Sequence, residues 1–152
     1  MAGTTIRIKI HDEQMTATLG TIAKRCGNLL PAMQIIGETV KASVVENFQA
    51  GGRPNGWQPL SPVTLVMKKG GSILIGKGHA GGLMGSIHYE AENNAVMVGT
   101  NKIYAAIHQF GGEAGRGKKV KTPARPFLMV QDENWPEIKE QLEEYIIVGD
   151  LL

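Results

Sequence analysis

Four histidines, one cysteine, a glycine-spaced lysine and a cluster of bases are the residues whose chemistry could define this chain. His11, His79, His88 and His108 stand at no spacing that would gather a zinc ion, and Cys26 has no second cysteine to share one. Cys26 falls on a helical stripe with Leu19, Ile22 and Leu29, where a thiol is expected to pack as a small hydrophobe rather than act as a nucleophile. Gly71-Ser72-Ile73-Leu74-Ile75-Gly76-Lys77-Gly78 approaches a phosphate-binding loop, but Gly78 stands where the magnesium-binding Ser or Thr belongs. The residues after it do not read as the long helix whose amino end would hold phosphate. A glycine-rich arm is the better reading.

Two constellations remain. In Val98–Gly112, Tyr104 and His108 are four residues apart and share a helix face, with Gly111-Gly112 behind them. The expectation is structural: His108 packed and hydrogen-bonded under the glycine turn. The other constellation is Arg116, Lys118, Lys119 and Lys121, interleaved with glycine, which suits an acidic partner surface or the phosphates of passing DNA. No aromatic residue interrupts these bases, so base stacking is not indicated. The carboxylates Glu137, Glu140, Glu143 and Glu144 read as the solvated face of a closing helix rather than an acid–base pair.

The elements that must carry these residues follow from periodicity. Thr4–Ile10 alternates as a half-buried strand. The stripe ending at Leu29 and a second one, Met33, Ile36, Val40, Val44 and Phe48, predict two helices or a single helix kinked at Pro31, stopped by Gly51-Gly52. Ser61-Pro62 marks the start of a short helix that Gly70 ends. Ser86–Ala91 and Ala95–Thr100 predict a hairpin turning at Glu92-Asn93-Asn94. Lys102–Phe110 predicts a short helix, Gly111–Thr122 an irregular arm and Phe127–Val130 a strand. A last helix should run through Ile138, Leu142, Tyr145 and Ile146, with a capping-box-like start at Asn134 and Glu137. The expected class is α+β in a single domain over residues 1–152: two N-terminal helices, a small mostly antiparallel sheet, a C-terminal helix and long glycine-rich loops.

Composition narrows the function classes. A chain of 152 residues can bury roughly 70% of its unfolded surface without disulfides or metals. A net charge of +2 is too small to imply nucleic-acid or membrane binding by itself. No apolar run approaches a membrane span and the first residues do not read as a signal peptide, so folding in a cytoplasm is expected. Of the 20 glycines, nine lie in Gly51–Gly82 and four in Gly111–Gly117, which makes these segments arms on a compact domain.

Six segments in order carry a family resemblance: Gly52-Arg53-Pro54; Trp57-Gln58-Pro59-Leu60-Ser61; Leu83 with Ser86-Ile87; Val98-Gly99-Thr100-Asn101 with Tyr104-Ala105; His108-Gln109-Phe110-Gly111; and Pro123-Ala124-Arg125-Pro126-Phe127-Leu128. Together they resemble the Mu-like phage virion morphogenesis proteins, also called tail completion proteins. The resemblance implies a non-enzymatic structural subunit of a tailed-phage neck, in the virion, with no cofactor and no catalytic residue to carry over. It implies a ring around the DNA channel, commonly of six copies, that touches the tail tube and the neck or head-completion proteins and no membrane. Trp57, Arg53, Leu60, Arg125 and Phe127 are then candidate contacts to a neighbour, with Trp57 folding back on its own core as the alternative. Arg116, Lys118, Lys119 and Lys121 are candidate contacts to channel DNA or an acidic partner, or the basis of a small DNA-binding module. Tyr104, His108 and Gly111 are expected to be structural.

Overall fold

In a computed structural model, residues 12–68, 72–75 and 82–149 are described. The expected strand at Thr4–Ile10, His11 and His79, and half of the phosphate-loop-like segment (Gly71 and Gly76–Gly78), lie outside them. Helix α1, Glu13–Gly27, starts at Asp12, whose carboxylate accepts the amide protons of Gln14 and Met15 at 3.0 and 3.1 Å. Helix α2, Leu30–Ala50, begins after Asn28 and Leu29. Pro31 therefore opens a helix rather than kinking one, because a missing amide proton costs nothing in a first turn. Gly51, at φ +71, ends α2 in the left-handed conformation.

The stripe Ala32, Ile36, Val40, Val44 and Phe48 is the buried face of α2. Strands β1, Ile87–Ala91, and β2, Val96–Thr100, lie against it as an antiparallel pair running from Ile87 opposite Thr100 to Ala91 opposite Val96. Helix α5, Asn134–Ile147, packs on α2 and α1. Two short helices, α3 at Pro62–Lys68 and α4 at Ala105–Phe110, flank a second hairpin in which β3, Gly112–Ala114, pairs with β4, Val120–Thr122. Both sheets are two-stranded, and the class is α+β as expected.

Four local expectations are corrected. No residue of α1 is buried, and Cys26 is exposed, because this helix packs mainly on α5. Gly111–Thr122 is not irregular but forms the β3–β4 hairpin. Phe127–Val130 is not a strand; its backbone is bonded by side chains instead of a neighbouring strand. The capping box of α5 is absent. Asn134 Oδ1 accepts from the Gln131 amide at 3.2 Å and from the Ser43 hydroxyl at 2.6 Å. Asn134 therefore ties α5 to α2.

The core gathers Val44, Phe48, Trp57, Leu83, Ile87, Ala105 and Phe127. Phe48 meets Trp57 edge-on at 5.8 Å and Phe127 at 5.1 Å between ring centroids. Beside it lies a polar knot on Asn47, which is fully buried. Its amide donates to the Phe127 carbonyl at 3.1 Å, and its oxygen accepts from Arg53 Nε at 2.9 Å and Gln131 Nε2 at 3.1 Å. Removing this side chain would take a partner from the buried Phe127 carbonyl, the buried Gln131 amide and the half-buried Arg53 guanidinium at once. Asn47→Ala is expected to cost about 3 kcal/mol in a urea unfolding curve; a loss below about 1 kcal/mol would show that the knot is not what closes the fold.

Candidate functional site

The six segments singled out in the sequence meet at the core around Trp57, Leu83, Ala105 and Phe127, with Arg53 and Gln109 tied in by side-chain bonds. Trp57 does not project from its loop: it is buried, and its indole donates to the Pro126 carbonyl at 3.0 Å. Phe127 is fully buried and Arg125 nearly so. These three candidate contact residues thus hold the subunit together and would shape an interface through the loops they anchor. Arg53 bridges Glu46 and Glu133, at 2.8 and 2.9 Å, and its second amino group reaches the Ser43 carbonyl at 2.9 Å. Leu60 is half-buried at a cavity mouth.

The backbone of Phe127 and Leu128 is bonded by side-chain amides. Gln109 accepts from the amides of Phe127 and Leu128 at 2.9 and 3.0 Å and donates to the Leu128 carbonyl at 3.1 Å. A β-prone sequence is thereby spared a strand partner, since every buried backbone group needs a partner but not necessarily another strand. Sequence reasoning missed Gln109, Asn47 and Gln131. Their only signal was polarity beside apolar neighbours.

Arg125 closes the loop before α3. Its guanidinium donates to the Gln58 carbonyl at 3.1–3.2 Å and to that of Pro59 at 3.4 Å, and its backbone amide donates to the His108 carbonyl at 2.7 Å. Around it opens a cavity of about 550 Å³, with Lys68, His108, Lys121 and Arg125 in its wall and no carboxylate among the described residues. Lys68 also donates to the Ser72 carbonyl. Burial, then the charge of Arg125, holds both His108 and Lys68 below their ordinary pKa values, and burial lowers Arg125 itself. The cavity is thus electropositive and chemically suited to an anion. Among the described residues, no three His, Cys, Asp or Glu side chains gather as a metal site.

His108 stacks edge-on with Tyr104 at 6.0 Å, as their spacing implied. The expected hydrogen bond is not made: His108 Nδ1 is buried and has no partner among the described residues. The basic residues Arg116, Lys118, Lys119 and Lys121 are exposed on the β3–β4 hairpin, and Lys121 joins the cavity wall. His88 is apart from all of this, exposed on β1 with Nδ1 3.1 Å from the Ser86 carbonyl.

A family model described as the phage virion morphogenesis family matches residues 10–146. The chain belongs to this family. It is also 40% identical over 141 residues to "Mu-like prophage FluMu G protein 2" of Haemophilus influenzae, covering 92% of this chain and 95% of that protein. No solved structure matches the chain significantly. Membership assigns a role in building the phage virion, and the motifs that carried the resemblance become residues of one scaffold around the cavity.

Two outcomes test that scaffold. Gly111 adopts φ +73 with ψ −179, and a Cβ there would lie 2.8 Å from the Ala124 nitrogen and 3.0 Å from the Thr122 oxygen, both backbone. Gly111→Ala should lower stability by about 1–3 kcal/mol, read from chemical unfolding; an unchanged midpoint would refute the close approach. His108 has a folded pKa below its unfolded value of 6.5, so its neutral form contributes stability that is complete above pH 6.5 and is lost as pH falls toward the folded pKa. Melting temperatures measured from pH 7.5 down should therefore fall less steeply for His108→Gln than for the natural chain, and parallel profiles would contradict this (pH range set roughly by the histidine titration).

Proposed function

We propose that this virion morphogenesis protein completes the phage tail at the neck, as a ring of identical subunits, commonly six, through which the DNA passes, and that it meets the tail tube on one side and neck or head-completion proteins on the other. The observation that carries this reading is the match of nearly the whole chain to a virion-building family, with a Mu-like prophage relative of almost the same extent. Apolar surface supports it. On α3, Val63, Val66 and Met67 are 65, 79 and 80% exposed at helical spacings of three and four, and α4 ends in Phe110, 79% exposed. Outward apolar stripes of this kind are surfaces that a neighbour covers. The polar knots around Asn47 and Arg125 serve a structural part, since they hold loops rather than present reactive groups.

A ring needs one patch to meet a different patch next door, with the rotation closing. Electron microscopy of the purified chain, alone and mixed with tail tubes, should show closed rings or rings capping tube ends. Val66→Asp with Met67→Asp should reduce them while the helical circular-dichroism signal is kept. Monomers only, even with tails present, would end the ring reading.

A further inference from the structure

The net charge of +2 conceals a separation of charge. Arg116, Lys118, Lys119 and Lys121 stand exposed on the β3–β4 hairpin, with Glu113 the one acid in either strand. Through Lys121 this hairpin runs into the cavity that Lys68 and Arg125 also line, and no carboxylate lines that cavity among the described residues. Hairpin and cavity are therefore one continuous basic face. Arg116, Lys118, Lys119 and Lys121 make no ion pair among the described residues.

The opposite charge lies on α5. Glu137, Glu140 and Glu144 recur at spacings of three and four and so form a single stripe, with Glu143 beside it, and all four are exposed. None of the four makes an ion pair among the described residues. The stripe continues into a groove between α5 and α2 whose wall holds Glu38, Glu46 and Glu137; Glu38 is paired with Lys41 and Glu46 with Arg53, which leaves Glu137 without an ion pair among the described residues. No residue of α5 lines the basic cavity. One subunit can thus present both faces at once.

We infer that the basic hairpin–cavity face of one copy of this chain docks on the acidic α5 stripe of a second copy. The occupant favoured here is a copy of the chain because the chain itself carries the complementary surface. Two different faces meeting give a head-to-tail contact, the type that closes into a ring or extends as a filament. Cavity cations and α5 carboxylates would be partly desolvated there, so the contact would set orientation and register as well as affinity. The inference rests on the ring reading above and assigns the surfaces that reading leaves open.

The test uses the full chain. Sedimentation velocity should show self-association that weakens from about 0.05 M to about 0.5 M salt as screening shortens. Lys118→Glu, Lys119→Glu and Lys121→Glu together should weaken it at least about tenfold, and Glu137→Lys, Glu140→Lys and Glu144→Lys together should do the same. All six changes in one chain should restore association, since both faces then have inverted charge. These positions are solvent-exposed, and circular dichroism checks that each variant is folded. Salt-independent association of the natural chain would overturn the inference without relying on any variant. Rings that persist in both triple variants would overturn it while leaving the ring reading intact. If the basic triple lost only binding to a duplex DNA probe and the acidic triple changed nothing, the hairpin would be a DNA contact and the inference would fall. A natural chain that never assembles, even on tail tubes, would remove the ring reading and this contact with it.

Discussion

Asn47 is a fully buried amide in the middle of an apolar helix face, and the fold is organised around supplying it with partners. It joins two stretches of chain that are distant in sequence: α2 with the adjoining Arg53 loop, and the segment from Phe127 to Gln131 before α5. A buried polar group is costly unless every bond is made, so a network of this kind tolerates one arrangement of its loops and penalises slipped ones. Arg53 extends it outward to Glu46 on α2 and Glu133 at the foot of α5. The aromatic contacts of Phe48 with Trp57 and Phe127 provide apolar burial over the same junction. Burial drives the junction to close, and the amide network specifies how.

That junction determines what the surface can present. With Trp57, Arg125 and Phe127 drawn inward, the loops around them are braced, and α3, α4 and the β3–β4 hairpin stand out at one end. Arg125 is bonded to main-chain carbonyls rather than to a carboxylate, so its charge is not cancelled within the cavity wall. His108 Nδ1 is buried and has no partner among the described residues. On the other side of α2, α5 carries its carboxylates outward.

Much of this was legible in the residues. The stripe of α2, the turn at Glu92–Ala95, the start of α3 at Ser61-Pro62 and the edge-on pairing of Tyr104 with His108 are local consequences of spacing and turn chemistry. Three of the misreadings share one cause. Cys26 sits on an apolar stripe, but how much of that stripe is covered depends on a helix more than a hundred residues away. Phe127–Val130 has the composition of a strand, but Gln109 and Asn47 reached its backbone first. Asn134 resembles a capping residue, yet Ser43 and Gln131 engage its side chain. Each is a competition between a local preference and a distant partner, and the distant partner has no local signal.

The sequence alone determined the class of fold, the order of its main elements and the family, because periodicity, glycine placement and six short motifs are properties of neighbouring residues. The tertiary structure decided that Trp57, Arg125 and Phe127 face inward, that the basic arm is a hairpin, and that bases and acids part to different faces. Burial and charge separation arise only when segments far apart in the chain meet, and here Asn47 and Arg125 make them meet.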